Sequence, residues 1–249
     1  MSSTNIPKIS IITITYNSEK TLEETIISVI SQNYDNLEYL IIDGGSKDGT
    51  LDIVEKYRDE ISYVLSESDK GISDAFNKGI RAATGEIIGI INSDDILEPQ
   101  ALQTIAEFYD PNIDVYSGNL LCWDPEGNRQ FMQYPDMNFE HLKVQYMVCH
   151  PSRFIRKDAY DKWGLYDVEL RYKMDIDLIV RFYKKGANFK KIDKTLARFR
   201  LGGATSSKFS KKIPDIRKFI FSNGWSKFDY IYILCMSYLR YLTKKIIGR

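Results

Sequence analysis

The sequence predicts an α/β fold with a mostly parallel central sheet flanked by helices, a smaller antiparallel portion and a C-terminal helical tail. Strand and helix signals alternate four times within the first hundred residues, the signature of a parallel, helix-flanked sheet with a ligand crevice at its carboxyl edge. The stretch GEIIGIINSDD (Gly85 to Asp95) is a short β-branched run that ends in adjacent carboxylates. Such a run reads as a strand buried on both faces. Beyond the first hundred residues the pattern turns to hairpin-like strands and tight turns.

Each element has its own signal. KISIITITYN (Lys8 to Asn17) is a first strand entering a polar loop that carries Thr15, Tyr16 and Asn17. From Glu19, Leu22, Ile26, Val29 and Ile30 fall at helical spacing. LEYLIID is a second strand ending at Asp43, and the glycine-rich turn GGSKDGT delivers Asp48 or Thr50 as an N-cap. Leu51, Val54 and Tyr57 give the next helix an apolar face, and ISYVL is a third strand. Ile72, Ala75, Phe76, Gly79, Ile80 and Ala83 repeat at amphipathic helical spacing, and Gly85 ends that helix. After a helix near Gln100 to Tyr109, IDVYSGNLLCW, DPEGN and RQFMQY predict an antiparallel hairpin. RFIRK is a short strand, DAYDKW a helical turn capped by Gly164, and Asp175 to Gly186 a helix with Gly186 as terminator. KKIDKTLARFRLGGATSS is a strand running into a small-residue loop. With no internal repeat or low-complexity linker, the second half continues one domain.

The chain has 249 residues, 43% hydrophobic and 27% charged, which suits one large α/β domain or a domain with an appendage. Its zero net charge is divided. From Lys208 onward there are ten Lys/Arg against two acids (Asp215 and Asp229), a tail of +8, while the first 207 residues hold 24 against 32, or −8. That split suggests a basic tail facing an anionic surface. Cys122, Cys149 and Cys235 have no paired spacing and no nearby histidine pattern. They fit buried thiols in a reducing compartment better than a disulfide framework or a zinc site. MSSTNIPK lacks the apolar core of a secretory signal, and the late apolar stretch is too short and interrupted to span a bilayer. The expected location is cytoplasmic.

The loops after the strands carry Thr15, Tyr16 and Asn17, then Asp43, then Glu67 and Asp69, then Asp94 and Asp95, so polar residues gather on one rim. Hard cations that travel with phosphates are held by one or two carboxylates, with phosphate and water completing the shell. SDD therefore reads as a divalent-metal and diphosphate station, with a turn or helix cap as the alternative. No GxGxxG follows the first strand, against a dinucleotide fold, and no GxxxxGK[ST] occurs, which removes a P-loop.

The first loop, Asp43, GISDAFNKGI, NSDD, MDIDLIVR and GGATS occur in the order found in family 2 glycosyltransferases of the GT-A (Rossmann-like) fold, and the chain resembles that family from Ile9 to Ser206. Within it the chain looks most similar to bacterial enzymes that extend surface polysaccharides. The resemblance implies an inverting, metal-dependent transfer of sugar from a nucleoside diphosphate sugar, UDP-sugar first, to a hydroxyl of a lipid-linked or growing glycan acceptor. It implies residues 1–110 as nucleotide-binding half and 111–207 as acceptor-binding half of one domain, 1–207, before a tail, 208–249. Asp95 would bind Mg²⁺ or Mn²⁺, and Asp94 would support the metal or the donor ribose. Ser93 stands where the family pattern has its first acid. Asp43 would accept a hydrogen bond from the base, Tyr16 would stack on it, Thr15 would line the same pocket, and Asn17 of that loop would also bind the donor. Asp43 before Gly44-Gly45 also suits a turn. Asp175 matches the family's general base, with an N-cap role as its rival and Asp177 as the alternative acid. Asp74 and Asn77 lie one turn apart and would face the donor pocket or solvent.

His150 could reach a metal or acceptor, although a histidine between Cys149 and Pro151 also suits a packed position. Gly202, Gly203 and Ser206 could bring backbone amides to a diphosphate, with Arg198, Arg200 and Lys208 nearby. The aromatic, aliphatic and basic residues from Ser226 to Arg249 suit a helix in a membrane headgroup plane, giving peripheral membrane contact, or a helix packed on the domain. No nucleic-acid partner is indicated. Two rivals stand beside this reading: a non-catalytic sugar-nucleotide or glycan-binding subunit of the same fold, and a nucleotidyltransferase. The latter lacks the glycine-rich basic loop after its first strand.

Overall fold

A computed structural model describes residues 6–126, 129–138, 150–202 and 209–247, the last four by backbone alone. The amino-terminal half alternates β1 (Ile9–Thr15), α1 (Leu22–Ile30), β2 (Leu37–Asp43), α2 (Thr50–Lys56), β3 (Tyr63–Ser66), α3 (Ile72–Ala82) and β4 (Ile87–Asn92). There follow β5 (Ile96–Leu97), α4 (Ala101–Glu107), β6 (Val115–Trp123), β7 (Gln130–Gln133), β8 (Arg153–Arg156), α5 (Lys157–Trp163), α6 (Met174–Lys184) and β9 (Phe189–Arg200). Two helices close the chain, α7 (Ile213–Ser222) and α8 (Lys227–Ile247).

One sheet runs through the molecule in the order β3-β2-β1-β4-β8-β6-β9-β5, with β7 beside β6. β1 to β4 pair in parallel, as do β6 and β9, whereas β8 runs antiparallel to both β4 and β6. Register decides what meets at the rim. Thr15 lies opposite Asp43, Asp43 opposite Ser66, and Ile14 opposite Asn92, so four strands end level. β6 and β9 point the same way as β4, and Trp123 is paired with Arg200 at their carboxyl ends. The antiparallel β8 begins at this rim with Arg153. Chain order reverses between β1 and β4, where open α/β sheets bind ligands.

Alternation along the strands divides the core. Ile12, Leu40, Ile42, Ile88 and Ile90 pack under α3, α5, α6 and α7, while Ile9, Ile11, Ile41, Ile87 and Ile91 pack under α1 and α4. The approach of α3 to β1 requires Gly79, because a Cβ there would lie 2.4 Å from Ile12 Cγ2. β5 was not anticipated, since two residues give no periodicity, and α4 follows it through Gln100 in a left-handed turn (φ 62°). The helix expected from Glu19 starts at Leu22, after a turn closed on the Ser18 carbonyl.

Opposite the crevice, the Glu38 carboxylate ties three segments together. It accepts from Ser10 Oγ (2.5 Å), Thr84 N (2.7 Å), Thr84 Oγ1 (2.5 Å) and Lys8 Nζ (3.0 Å). Burial alone would raise its pKa, but these hydrogen bonds outweigh it and bring it down to about 2. A depressed folded-state pKa gives stability that is present above the unfolded value and lost as pH falls through the folded one. Glu38→Gln is therefore expected to lower stability by about 2 kcal/mol at pH 7. Its deficit should vanish in urea titrations as pH falls from about 4 to about 2, and a pH-independent deficit would assign the loss to packing alone.

The last two helices join the core on one side: Ile216, Phe219, Ile220 and Ile233 are buried in the cluster that holds α6. α8 starts at a reciprocal cap, with Ser226 N donating to Asp229 Oδ2 (2.9 Å) and Asp229 N to Ser226 Oγ (3.2 Å). Asp215 on α7 accepts from three successive amides, Arg171 (2.7 Å), Tyr172 (2.5 Å) and Lys173 (3.3 Å), just before α6. One expectation is corrected: Cys122 is a buried thiol, but Cys235 is exposed, because it sits on the outward face of α8.

Candidate active site

The rim is held together by its own polar groups. Asp43 is fully buried and accepts from Gly45 N (3.1 Å), Ser46 N (3.0 Å), Ser46 Oγ (2.5 Å) and Ser66 Oγ (2.6 Å). Those donors take up the roughly four acceptor positions of a carboxylate. A base reaching Asp43 would have to displace one of the serines. Thr15 is buried, its Oγ1 has no hydrogen-bond partner among the described residues, and its carbonyl accepts from Gly44 N. Asn17, at φ 51°, accepts from Lys47 N (2.8 Å) through Oδ1 and donates its own N–H to Ser46 Oγ (2.8 Å). Tyr16 is 62% exposed at the mouth. Gly44 keeps the space beside it open, since a Cβ there would meet Asp69 Oδ2 at 2.8 Å and Tyr16 Cδ2 at 3.4 Å.

α3 contributes differently from expectation. Asn77 is buried, with Nδ2 donating to the Tyr166 carbonyl (2.9 Å) and Oδ1 accepting from Tyr166 N (3.0 Å). Its amide braces a loop. Asp74 accepts from Lys70 N (3.0 Å) and lies 3.7 Å from Lys78 Nζ, which also meets Asp69 (2.6 Å) and Glu67 (2.9 Å).

Asp94 and Asp95 follow β4 at the switch point. Asp95 is fully buried, with Asn92 Nδ2 donating to Oδ2 (2.9 Å) and Arg200 N to Oδ1 (3.0 Å). Burial pushes the Asp94 carboxyl up, and burial with the neighbouring Asp94 charge pushes Asp95 well above the usual carboxylate range. Two acids crowded into a water-poor turn gain from a cation. Among the described residues no group of three or more His, Cys, Asp or Glu could hold a metal ion. A hard divalent cation at this turn would take one or two carboxylate oxygens from the pair and the rest of its shell from phosphate and water. Ser93 Oγ lies 2.8 Å from Ser18 Oγ, joining this turn to the first loop.

Asp175 stands in the first turn of α6, about a quarter exposed, with Oδ1 3.2 Å from both Arg153 Nη2 and His150 Nδ1. Burial works to raise its pKa, but His150 and Arg153 outweigh it and hold the carboxyl well below the usual range. The buried Arg153 also donates to Tyr166 Oη (2.7 Å), and His150 stacks on Phe76 of α3 at 4.9 Å. Asn77, Tyr166, Arg153 and Asp175 thus form one chain of contacts from α3 to α6. Asp177 is occupied elsewhere, bound to Arg181 Nε (2.8 Å) and Asn223 Nδ2 (2.9 Å) and buried.

Residues 10–164 match the description "Glycosyl transferase family 2", well over half of the chain. The chain belongs to glycosyl transferase family 2. Relatives of this family 2 chain include the putative glycosyltransferase EpsE of Bacillus subtilis, 31% identical over 189 residues (72% of this chain, 68% of EpsE). Chondroitin synthase of Escherichia coli is 30% identical over 220 residues, 86% of this chain but 31% of the synthase. An uncharacterized glycosyltransferase of Rickettsia prowazekii is 28% identical over 190 residues, and the chain spans 59% of its length. Among solved structures, S. aureus TarS 1-349 in complex with UDP-GlcNAc superposes with TM-score 0.70 at 23% identity, covering 91% of this chain and 70% of that one. A mannosyltransferase from Pyrobaculum calidifontis in complex with GDP-Man and Mn²⁺ gives TM-score 0.65 at 17% identity, covering 92% and 68%. These structures share the fold, GT-A, that the sequence led us to expect.

Sequence reasoning missed two arginines. Arg153 was read as part of a strand, and its signal was a cation at an inward strand position. Arg200 was noted only as a base near a loop, yet its Nε donates to the Asp94 carbonyl (3.1 Å), Nη2 reaches Glu24 (2.5 Å) and the guanidinium lies 4.6 Å over Trp123. Of the glycine–serine loop, Gly202 is described at φ +109°, while Gly203, Ser206 and Lys208 lie outside the described residues, as does Cys149.

Proposed function

We propose that this chain is an inverting glycosyltransferase that moves a sugar from a nucleoside diphosphate sugar, a UDP-sugar first, to a hydroxyl of a lipid-linked or growing glycan acceptor in surface-polysaccharide synthesis, on the cytoplasmic side. One observation carries the reading: a carboxylate pair, the half-buried Asp94 and the fully buried Asp95, follows β4 at the rim, and a separate carboxylate, Asp175, contacts Arg153, the residue with which β8 begins. Family membership and the likeness to a chondroitin synthase support the polysaccharide context.

In this reading the acceptor hydroxyl gives its proton to Asp175 as its oxygen bonds the anomeric carbon. The bond from that carbon to the diphosphate breaks on the opposite face, and its electron pair leaves with the diphosphate. The configuration inverts. Asp95, supported by Asp94, would hold Mg²⁺ or Mn²⁺, a Lewis acid for the charge developing on the diphosphate. Tyr16 would stack on the base, with Thr15 and Asn17 lining the pocket and Asp43 accepting from the base once Ser46 or Ser66 turns away. Asp74 and Asn77 would hold the donor helix and its neighbouring loop in place. Residues 1–207 would carry the transferase site, with the helical tail 208–249 bracing it through Asp215 of α7.

A melting-temperature panel of UDP-, GDP-, dTDP- and CMP-sugars with and without Mn²⁺ tests the donor. A ligand at about 100 times its Kd adds about 2.7 kcal/mol, or a rise on the order of 5–10 °C for a chain of this size. The expected result is a UDP-specific, Mn²⁺-dependent rise. A flat panel would remove the sugar-nucleotide reading. Donor binding without transfer or hydrolysis would favour the non-catalytic subunit.

A further inference from the structure

α8 is a 21-residue helix with two unlike faces. One packs on the domain through Ile233, Leu234 and Tyr230, with Ile233 buried and Phe209 against Tyr241 and, at the edge of the outward face, against Tyr238. The other carries Phe228 (84% exposed), Ile231 (57%), Tyr232 (54%), Tyr238 (47%) and Leu239 (54%), together with the exposed Cys235. At 100° per residue these six positions fall within about 120° of the helix circumference, with no charge among them. A continuous exposed apolar strip of this kind marks a docking surface.

The charge around it selects the partner. The tail holds ten basic residues and two acids in sequence; of the described ones, the exposed Lys227 and Arg240 lie on α8 beside the strip, while Lys218 pairs with Asp167 and Glu169, and the acids Asp215 and Asp229 are held by backbone amides and the Ser226 cap. A second copy seated on this face would bring two tails of +8 together. An anionic bilayer surface instead meets both properties: aromatic and aliphatic side chains enter the headgroup boundary while flanking lysines and arginines meet lipid phosphates. Among the described residues no helix is long and apolar enough to cross a membrane, so α8 would lie along the surface.

We infer that the outward face of α8 docks this protein on an anionic lipid bilayer through Phe228, Ile231, Tyr232, Tyr238 and Leu239. The inference rests on the reading of a lipid-linked acceptor and deepens it, in that it brings the protein to the surface where such an acceptor resides. It is tested without substrate, so its failure leaves the transfer reading standing and the converse also holds.

The full chain is to be sedimented with vesicles of phosphatidylcholine alone and of phosphatidylcholine mixed with phosphatidylglycerol, at low and high salt. The parent protein is expected to bind the mixed vesicles and to be released by salt. The double variant Phe228→Ser/Leu239→Ser should bind at least about tenfold more weakly, with an unchanged melting temperature because both side chains are exposed. Absence of binding, equal binding to neutral vesicles at all salt concentrations, or full binding by the double variant would overturn the inference. So would a concentration-dependent dimer in light scattering that the same substitutions abolish, which would give the face to a second copy.

Discussion

Asp175→Asn is expected to lower kcat by about three orders of magnitude, within the range by which a positioned base contributes, while leaving UDP binding nearly unchanged. Asparagine keeps the shape and can still accept from Arg153, but it takes no proton from an incoming hydroxyl. The buried Arg153 loses its counter-charge in the variant, so a fall in melting temperature should accompany the kinetic loss. Single-turnover transfer, compared with UDP titration by calorimetry, separates the two effects. Full transfer would take Asp175 out of the mechanism. The same ion pairs fix the pH behaviour. A depressed carboxyl contributes stability that is present above its unfolded value, about 3.9, and is lost as pH falls through its folded one. Asp175 is thus ionised across the neutral range, and an acid limb of the rate above about pH 5 would have to belong to another group.

Asp95→Ala is expected to reduce transfer by about 10²–10³-fold and to abolish the Mn²⁺-dependent rise in melting temperature with UDP-sugar. The fold should survive. Removing the carboxylate leaves Arg200 N and the Asn92 amide without an acceptor, about 1–3 kcal/mol for each such group, but it also relieves a charge crowded against Asp94 in a buried turn. Metal-supported donor binding that persists in the variant would move the cation elsewhere.

How much of this was legible beforehand depended on the range of each interaction. β1 to β4 and α3 declared themselves because apolar runs, helical spacing and turn residues are local, and the runs of β1, β2 and β4 are buried on both faces. The rim followed, since polar residues after parallel strands have only one edge to occupy. What stayed hidden lies in partners distant in sequence. Asp43 carries the turn and also binds Ser66, 23 residues away. Asn77 meets Tyr166 across 89 residues, and Arg200 meets Asp95 across 105. Nothing in the local pattern of an arginine at a strand end says which carboxylate turn it will close. The two-residue β5 escaped for the opposite reason, being too short to have a pattern.

The hold of Asp215 on the amides of Arg171, Tyr172 and Lys173 bears on where this protein can be cut. The matched region stops at residue 164, which invites trimming to a minimal catalytic fragment. A fragment ending at 207 would contain Asp175 but not the α7 carboxylate that anchors the approach to it. Three amides would be left to water, and the first turn of α6 would be free to fray. A trimmed version that keeps the approach to α6 anchored therefore has to reach through α7.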